Sequence, residues 1–492
     1  MRTLYSLFLV FCFFVGFGCL SLLEAQTMNA KLKFSSDVFL PSSSDRMIVG
    51  MYNDTSVMLV DKGGSYQLAL FSEDMKSVVY KNLPEAIDSK IKILGSITSK
   101  SFFVILYASA TDGYASVRGL KYLGASTLDT LAVLMTLTKR PDLNFLDMVG
   151  SDNNKKLMLV YPTTATDIDQ SVIDLETMLP MYKGKLELGG LANYEEDHIQ
   201  SFVANSGEAF MAFSGGYQRN KQTKNTGILM VHIGTDGLPL VQKVVSSSLA
   251  YLNLKFEYDN INKQIVGAGL FSEKANDNTK GLWYVRIKSA KEEAVQSFQM
   301  FGEEFAIRLS GNKKALNKGV TDLKLRHLVL RRDGGILVAF EREKMIYRRD
   351  PISSYYSVYQ RFPTQTYGPT QIDYYYDDIG LVAINADGVV HWSQVLSKKQ
   401  ASSNDNAIFL SYFLMKSKGS LNFVYQSELG RQINLFAYAI NSQGESSRQI
   451  ITQLDPKKDN QFAIRQSLQV GTDKFLVLSE WKNNFNLVKI EI

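Results

Sequence analysis

The chain is poor in cysteine, histidine, tryptophan and proline, and each shortage removes a class. Two cysteines among 492 residues build neither a disulfide-stapled scaffold nor a cysteine-rich zinc module. The four histidines, His198, His232, His327 and His391, form no His-Glu-x-x-His or His-x-His pattern. No metal site is therefore expected. A Gly-x-Ser-x-Gly elbow, a P-loop and a dinucleotide-binding glycine fingerprint are missing too, so no catalytic residue and no cofactor is expected. Charge of one sign is scarce. With 54 basic and 49 acidic residues the net charge is +5, too small and too dispersed to point to nucleic acid. An apolar content of 45% with 11% aromatic residues excludes a disordered chain, and no Gly-X-Y period suggests collagen.

Long apolar runs are absent except at the start. Arg2 precedes an uncharged run, 7–23, that contains Phe8, Phe11, Phe13, Phe14 and Phe17. Glu24-Ala25-Gln26 follows, so residues 1–25 read as a secretory signal cleaved before Gln26. An uncleaved membrane anchor is the less favoured alternative. No later segment approaches about 18 apolar residues, so no helical transmembrane span is expected in the mature chain. Both cysteines, Cys12 and Cys19, fall inside the leader, which leaves the mature protein without thiol or disulfide. Cys19 has Gly16 three residues before it, where a lipoprotein signal has leucine, so a lipid anchor there is not favoured.

What is abundant is the short strand. Runs of Val, Ile, Leu, Phe and Tyr alternate with tight turns such as Asn205-Ser206-Gly207, Thr235-Asp236-Gly237, Asp333-Gly334-Gly335, Asp387-Gly388 and Ser442-Gln443-Gly444. Helices are expected at most twice, at 167–179, where Ile168, Val172, Leu175 and Leu179 are helically spaced, and more weakly at 290–298.

The apolar runs recur, at 47–52, 102–107, 157–161, 209–213, 265–270, 336–340, 421–425 and 475–478. Most steps between them span roughly 50–57 residues, near the upper end of the propeller range. A strand–turn–strand follows each, as in 228–244 and 381–392. The fold class is therefore all-β. The chain is expected to form one β-propeller over residues 26–492, of eight four-stranded blades, with seven the alternative. Two β-sandwiches or a β-solenoid are the rival architectures. The last unit, with its inner strand at 475–478 and one more at 485–492, ends one strand short. Residues 30–34 supply a spare strand, so the N- and C-terminal strands are expected to close the ring.

Two insertions interrupt the period, at 341–378 and 397–411. The first carries Arg342, Lys344, Arg348 and Arg349, then Tyr355, Tyr356, Tyr359, Phe362, Tyr367, Tyr374, Tyr375 and Tyr376. Pro351, Pro363 and Pro369 stiffen it. Tyrosine and arginine make good contact surfaces, and long loops in compact domains are usually functional. Arg348, Arg349 and the aromatic residues from Tyr355 to Tyr376 are the candidate partner-binding residues. The alternative is that the tyrosines pack on neighbouring blades. The second insertion and the segment 218–226 read as solvated loops, the latter mobile. Acidic and amide clusters at 276–278, 403–406 and at Asp373, Asp377 and Asp378 read as turn chemistry ahead of calcium binding.

The stretch 386–393, with Gly388 four residues before Trp392, resembles the blade signature of bacterial quinoprotein-like propellers. That group includes scaffolds of outer-membrane assembly and quinone-dependent dehydrogenases. The signature occurs once here, and three tryptophans cannot dock eight blades. More broadly the chain resembles exported β-propeller proteins of Gram-negative envelopes. The resemblance places the chain in a Gram-negative envelope, periplasmic or at the cell surface. The many-bladed regularity, the absence of catalytic motifs and the long aromatic loop lead to the expectation of a non-enzymatic scaffold that binds an outer-membrane or envelope protein complex. The alternative is a carbohydrate-binding or carbohydrate-active propeller that takes polysaccharide between aromatic rings and acidic turns.

Overall fold

Apolar strands buried on both faces need a sheet packed against each side, and a ring of sheets provides it. The computed structural model describes residues 26–27, 30–39, 46–62, 65–84, 91–111, 114–139, 141–189, 198–214, 227–246, 249–273, 278–288, 294–349, 370–429, 432–454, 461–481 and 484–492. They form eight antiparallel blades, each built around four strands, which follow in sequence order in blades 1 to 7. The blades cover residues 46–82, 91–139, 147–187, 198–246, 250–300, 323–403, 413–454 and 461–491, and are numbered 1 to 8.

The eighth blade is closed by the other end of the chain. Lys31–Phe34 pairs antiparallel with Asn484–Glu491, from Lys31 opposite Glu491 to Phe34 opposite Val488. The buried Asn486 amide donates to the Ser35 carbonyl (2.9 Å) and the Asp37 carboxylate (2.7 Å), fastening the closing strand. Two short segments, Gln461–Phe462 and Leu468–Gln469, take the innermost position of this blade. Residues 475–478 therefore lie in its second strand, not its inner one. Gln26–Thr27 adds a parallel strand to the outer edge of blade 7.

The recurring apolar run is the second strand in blades 2 to 8. Ala209–Ser214 and Gln264–Ser272 are buried at every position, because a second strand has a neighbouring blade on each face. The run at 47–52 is the exception. It is the first strand of blade 1, and its true equivalent is Thr55–Asp61, buried from Ser56 to Val60.

Eight apolar clusters fill the eight seams between blades. The seam between blades 8 and 1 joins Leu476, Leu478 and Leu487 to Met58, Val60 and Phe71. A fully buried ring such as Phe256 contributes about 1.5–3 kcal/mol by leaving water. Tryptophan enters the seam between blades 4 and 5 as the buried Trp283 and also docks the seam between blades 6 and 7. Trp392 of blade 6 donates through Nε1 to the Ser442 carbonyl of blade 7 (3.1 Å). Its ring covers Gly444 so closely that an added Cβ would lie 2.5 Å away.

Amide side chains bridge other seams near the axis. Gln200 of blade 4 donates to the Phe256 carbonyl (2.9 Å) and accepts from the Phe256 amide (2.8 Å), extending the ladder into blade 5. Gln469 does the same to Lys416 across the seam between blades 8 and 7.

The helix expected at 167–179 is instead a strand, Asp167–Asp174, a turn, and the start of Leu179–Glu187. Its apolar residues include β-branched Ile168, Val172 and Ile173, which favour strand, and Asp174 closes the turn by accepting from the Glu176 amide (2.8 Å). At 290–298, the described part belongs to the strand Val295–Met300. A helix forms where none was expected. It is Glu303–Ser310, labelled α1, which buries Phe305, Ala306 and Leu309 and ends at left-handed Gly311.

Candidate functional site

Blade 6 departs most from the repeat. Its second strand, Ile336–Arg349, has 14 residues and its third, Thr370–Ile384, has 15. In blade 4 the corresponding strands have 6 and 7. The pairing runs from Ile336 opposite Ile384 to Arg349 opposite Thr370, with a register shift between Glu341 and Glu343. Such bulges bend a strand and re-aim its side chains. Below the shift the hairpin belongs to the blade. Above it, the hairpin projects beyond the blade.

The second insertion supports the projection and is not a solvated loop. Gln400–Ser403 pairs with the third strand, placing Tyr376 opposite Gln400 and Asp373 opposite Ser403. Lys398, Gln400, Ala407, Leu410 and Ser411 are buried. The strand is hard to see in the sequence because its residues are polar and it pairs with an element outside the repeat.

A buried ion cluster roots this assembly. Glu341 and Lys398 are fully enclosed, with Lys398 Nζ 2.6 Å from Glu341 Oε1. Nζ also donates to the Tyr376 carbonyl (3.1 Å) and Gln400 Oε1 (2.8 Å). Glu341 Oε2 accepts from Arg326 Nε (3.1 Å) and Ser411 Oγ (2.6 Å). Arg326 Nη2 reaches Glu343 (2.6 Å). Burial pushes the Lys398 ammonium below its usual pKa, and Glu341 opposes that shift. Removing either partner strands a buried charge, at a cost of about 3–5 kcal/mol.

The tyrosines divide between the two faces of the ribbon. Tyr374 and Tyr376 are buried and pack with Ile372 against Ala407 and Leu410. These two fit the packing alternative. Tyr376 OH donates to Glu343 (3.1 Å). Tyr375, on the opposite face, accepts from Arg348 Nη2 (3.2 Å). Arg348 Nε pairs with Asp373 at 2.5 Å while the side chain stays 58% exposed. Tyr347 is 65% exposed and Met345 43% exposed beside it. Sequence reasoning passed over Tyr347 and Met345, which sit in the run between Lys344 and Arg348 and read as strand. Arg349 lies in the ladder, its side chain outside the described residues. Tyr355, Tyr356, Tyr359, Phe362 and Tyr367 also lie outside them, as do 218–226.

The acidic residues are engaged internally. Asp373 accepts from Ser403 Oγ (2.6 Å) and Gln371 (2.9 Å), and with Arg348 these hold its pKa low. Asp377 faces Arg342 at 3.7 Å. Asp378 accepts from the Lys398 amide (2.9 Å), while burial raises its pKa. Asp405 accepts from Ser402 and the Ala407 amide, which is turn chemistry. Among the described residues, no group of three or more His, Cys, Asp or Glu is placed to hold a metal ion. No helix among them is long and apolar enough to cross a membrane. Beside the root, a cleft of about 410 Å³ opens between the added strand and blade 7, lined by Lys399, Ser402, Asp405, Phe409 and Ser427.

No protein-family model matches the chain, and no curated protein matches it either. Solved structures do. Prolyl oligopeptidase B from Galerina marginata is 10% identical over 91% of this chain and 55% of its own, with a TM-score of 0.41. The β-propeller domain of the trilobed protease from Pyrococcus furiosus is 9% identical over 85% and 98%, with a TM-score of 0.39. The Nup133 β-propeller domain from Vanderwaltozyma polyspora is 12% identical over 82% and 99%, with a TM-score of 0.37. The chain spans about half the length of the oligopeptidase.

Proposed function

We propose that this protein is a non-enzymatic binding or scaffold protein of a bacterial cell envelope. Residues 1–25 export it, and the blade 6 projection docks a protein partner in an outer-membrane-associated complex. The observation that carries this reading is the projection itself. Met345, Tyr347 and Arg348 are held out on a three-stranded ribbon whose base is fixed by the Glu341–Lys398 pair. Tyr347 with Met345 on one face of this pre-ordered ribbon, and Arg348 with Tyr375 on the other, lose little entropy on contact. The engagement of Asp373, Asp377 and Asp378 within the ribbon favours binding over hydrolysis.

The test is co-purification from a mild detergent extract of the native envelope. Wild-type protein is expected to elute with a partner, and the Y347A/R348A variant to elute alone with an unchanged melting temperature. Equal recovery of the partner by the variant, or wild-type protein eluting as a free monomer, would sink the proposal. Amino-terminal sequencing of the exported protein is expected to begin at Gln26.

A further inference from the structure

The other end of the ring carries a second site, independent of the projection. Strand direction alternates within a blade, so turns between first and second strands share one face of the ring with turns between third and fourth strands. The blade 6 hairpin joins second to third and projects from the opposite face. On the first face, between blades 4 and 5, lies a cavity of about 370 Å³. That volume suits a small organic molecule.

One wall is an aromatic ladder. Phe202, Phe210, His232 and Leu240 stand opposite one another across all four strands of blade 4. The rings of Phe202 and Phe210 stack at 5.1 Å, and those of Phe210 and His232 at 4.6 Å. Tyr258 of blade 5 stacks on Phe210 at 5.2 Å. Met230, Leu240, Ile265 and Ile287 complete an apolar lining.

The charges of the cavity are unequal. Glu208 is already engaged, accepting from Ser206 Oγ (2.8 Å) and lying 3.3 Å from His232 Nε2. Lys263 and Lys288 also line the cavity, and neither has a hydrogen-bond or ion-pair partner among the described residues. Two exposed lysines against the Glu208 carboxylate leave the lining net positive, and beside an apolar aromatic wall this favours an apolar ring system bearing an anion.

We propose that this cavity binds a planar aromatic carboxylate or sulfonate. The ring system lies along the Phe210–His232–Leu240 wall and the anionic group meets Lys263 and Lys288.

Calorimetric titration of the full chain with naphthalenesulfonate tests this, with neutral naphthalenesulfonamide as the comparison. The sulfonate is expected to bind one site per chain, about tenfold or more tighter than the sulfonamide, the difference two charge-assisted contacts provide. K263Q/K288Q should lose that preference while binding the sulfonamide as wild type does. Leu240, half exposed at the mouth, can be enlarged without disturbing the core, and Leu240→Trp should abolish binding of both. Unsaturable binding would overturn the site. So would an unchanged preference in the lysine variant, or full binding by Leu240→Trp.

Discussion

His327 shows how position sets a residue's chemistry. It lies on the innermost strand of blade 6, next to a bulge at Arg326 that leaves it opposite Ala339. Its ring sits 5.4 Å from the buried ring of Tyr412. Burial, then Lys255, Arg326 and Lys416, push its pKa from 6.5 to about 4. The native state therefore refuses a proton that the unfolded chain accepts once the pH drops below about 6.5. Stability is complete above that value and is lost as the pH falls toward 4. At about 1.4 kcal/mol per pH unit the full loss is about 3 kcal/mol. Glu257, on the neighbouring inner strand, has a pKa raised by burial and contributes with the opposite sign, so the decisive comparison is with a variant. Urea midpoints at pH 7.5 and 5 should differ more for wild type than for His327→Gln. Identical pH dependence in the two proteins would refute the assignment.

At the scale of the element, blades must be held together where few tryptophans are available. Gln200 fills that need by offering both an acceptor and a donor to the Phe256 backbone. Replacing it with leucine keeps the bulk but leaves a part-buried N–H and C=O without partners, a loss of about 1–3 kcal/mol. Gln469→Leu should cost less, because Lys416 is exposed and water can replace the amide. Hydrogen exchange at the Phe256 amide should quicken in Gln200→Leu while blade 1 amides stay as in wild type. An unaltered Phe256 rate would mean that the clasp does not hold the seam.

These glutamines mark where the sequence ceased to be legible. Blade count followed from apolar runs, most of them buried on both faces, although strand position was misplaced in blades 1 and 8, and Gln200 and Gln469 belong to no such run. The same limit applied to Lys398 and Glu341. A lysine in a polar stretch reads as solvated, and only the pairing of Gln400–Ser403 with Tyr374 and Tyr376 encloses it. The insertion stood out by its tyrosines, but as a long loop rather than as the extension of two strands, and Tyr374 and Tyr376 face inward. Alternation in a strand sends neighbours to opposite sides, and that assignment needs the strand's register. The helix α1 was missed because eight residues with three buried positions give little periodic signal.

For the whole molecule, the joint between Lys31–Phe34 and Asn484–Glu491 decides whether eight blades act as one ring. Without the N-terminal strand, blade 8 would expose the edge of Asn484–Glu491, and the seam between blades 8 and 1 would lose Val38. A ring so opened can fray from either side of the break, whereas a closed ring must break two seams before any blade leaves. Removing residues 26–39 should therefore lower the melting temperature and broaden the transition. It should also produce concentration-dependent association through the exposed edge. The milder change Asn486→Ala keeps the strand but removes the amide bonds to Ser35 and Asp37, and should give a smaller loss without association. Calorimetry and light scattering separate the two effects. A truncated protein that melts as sharply and at the same temperature as the full chain, and stays monomeric, would show that closure contributes nothing to the ring's cooperativity.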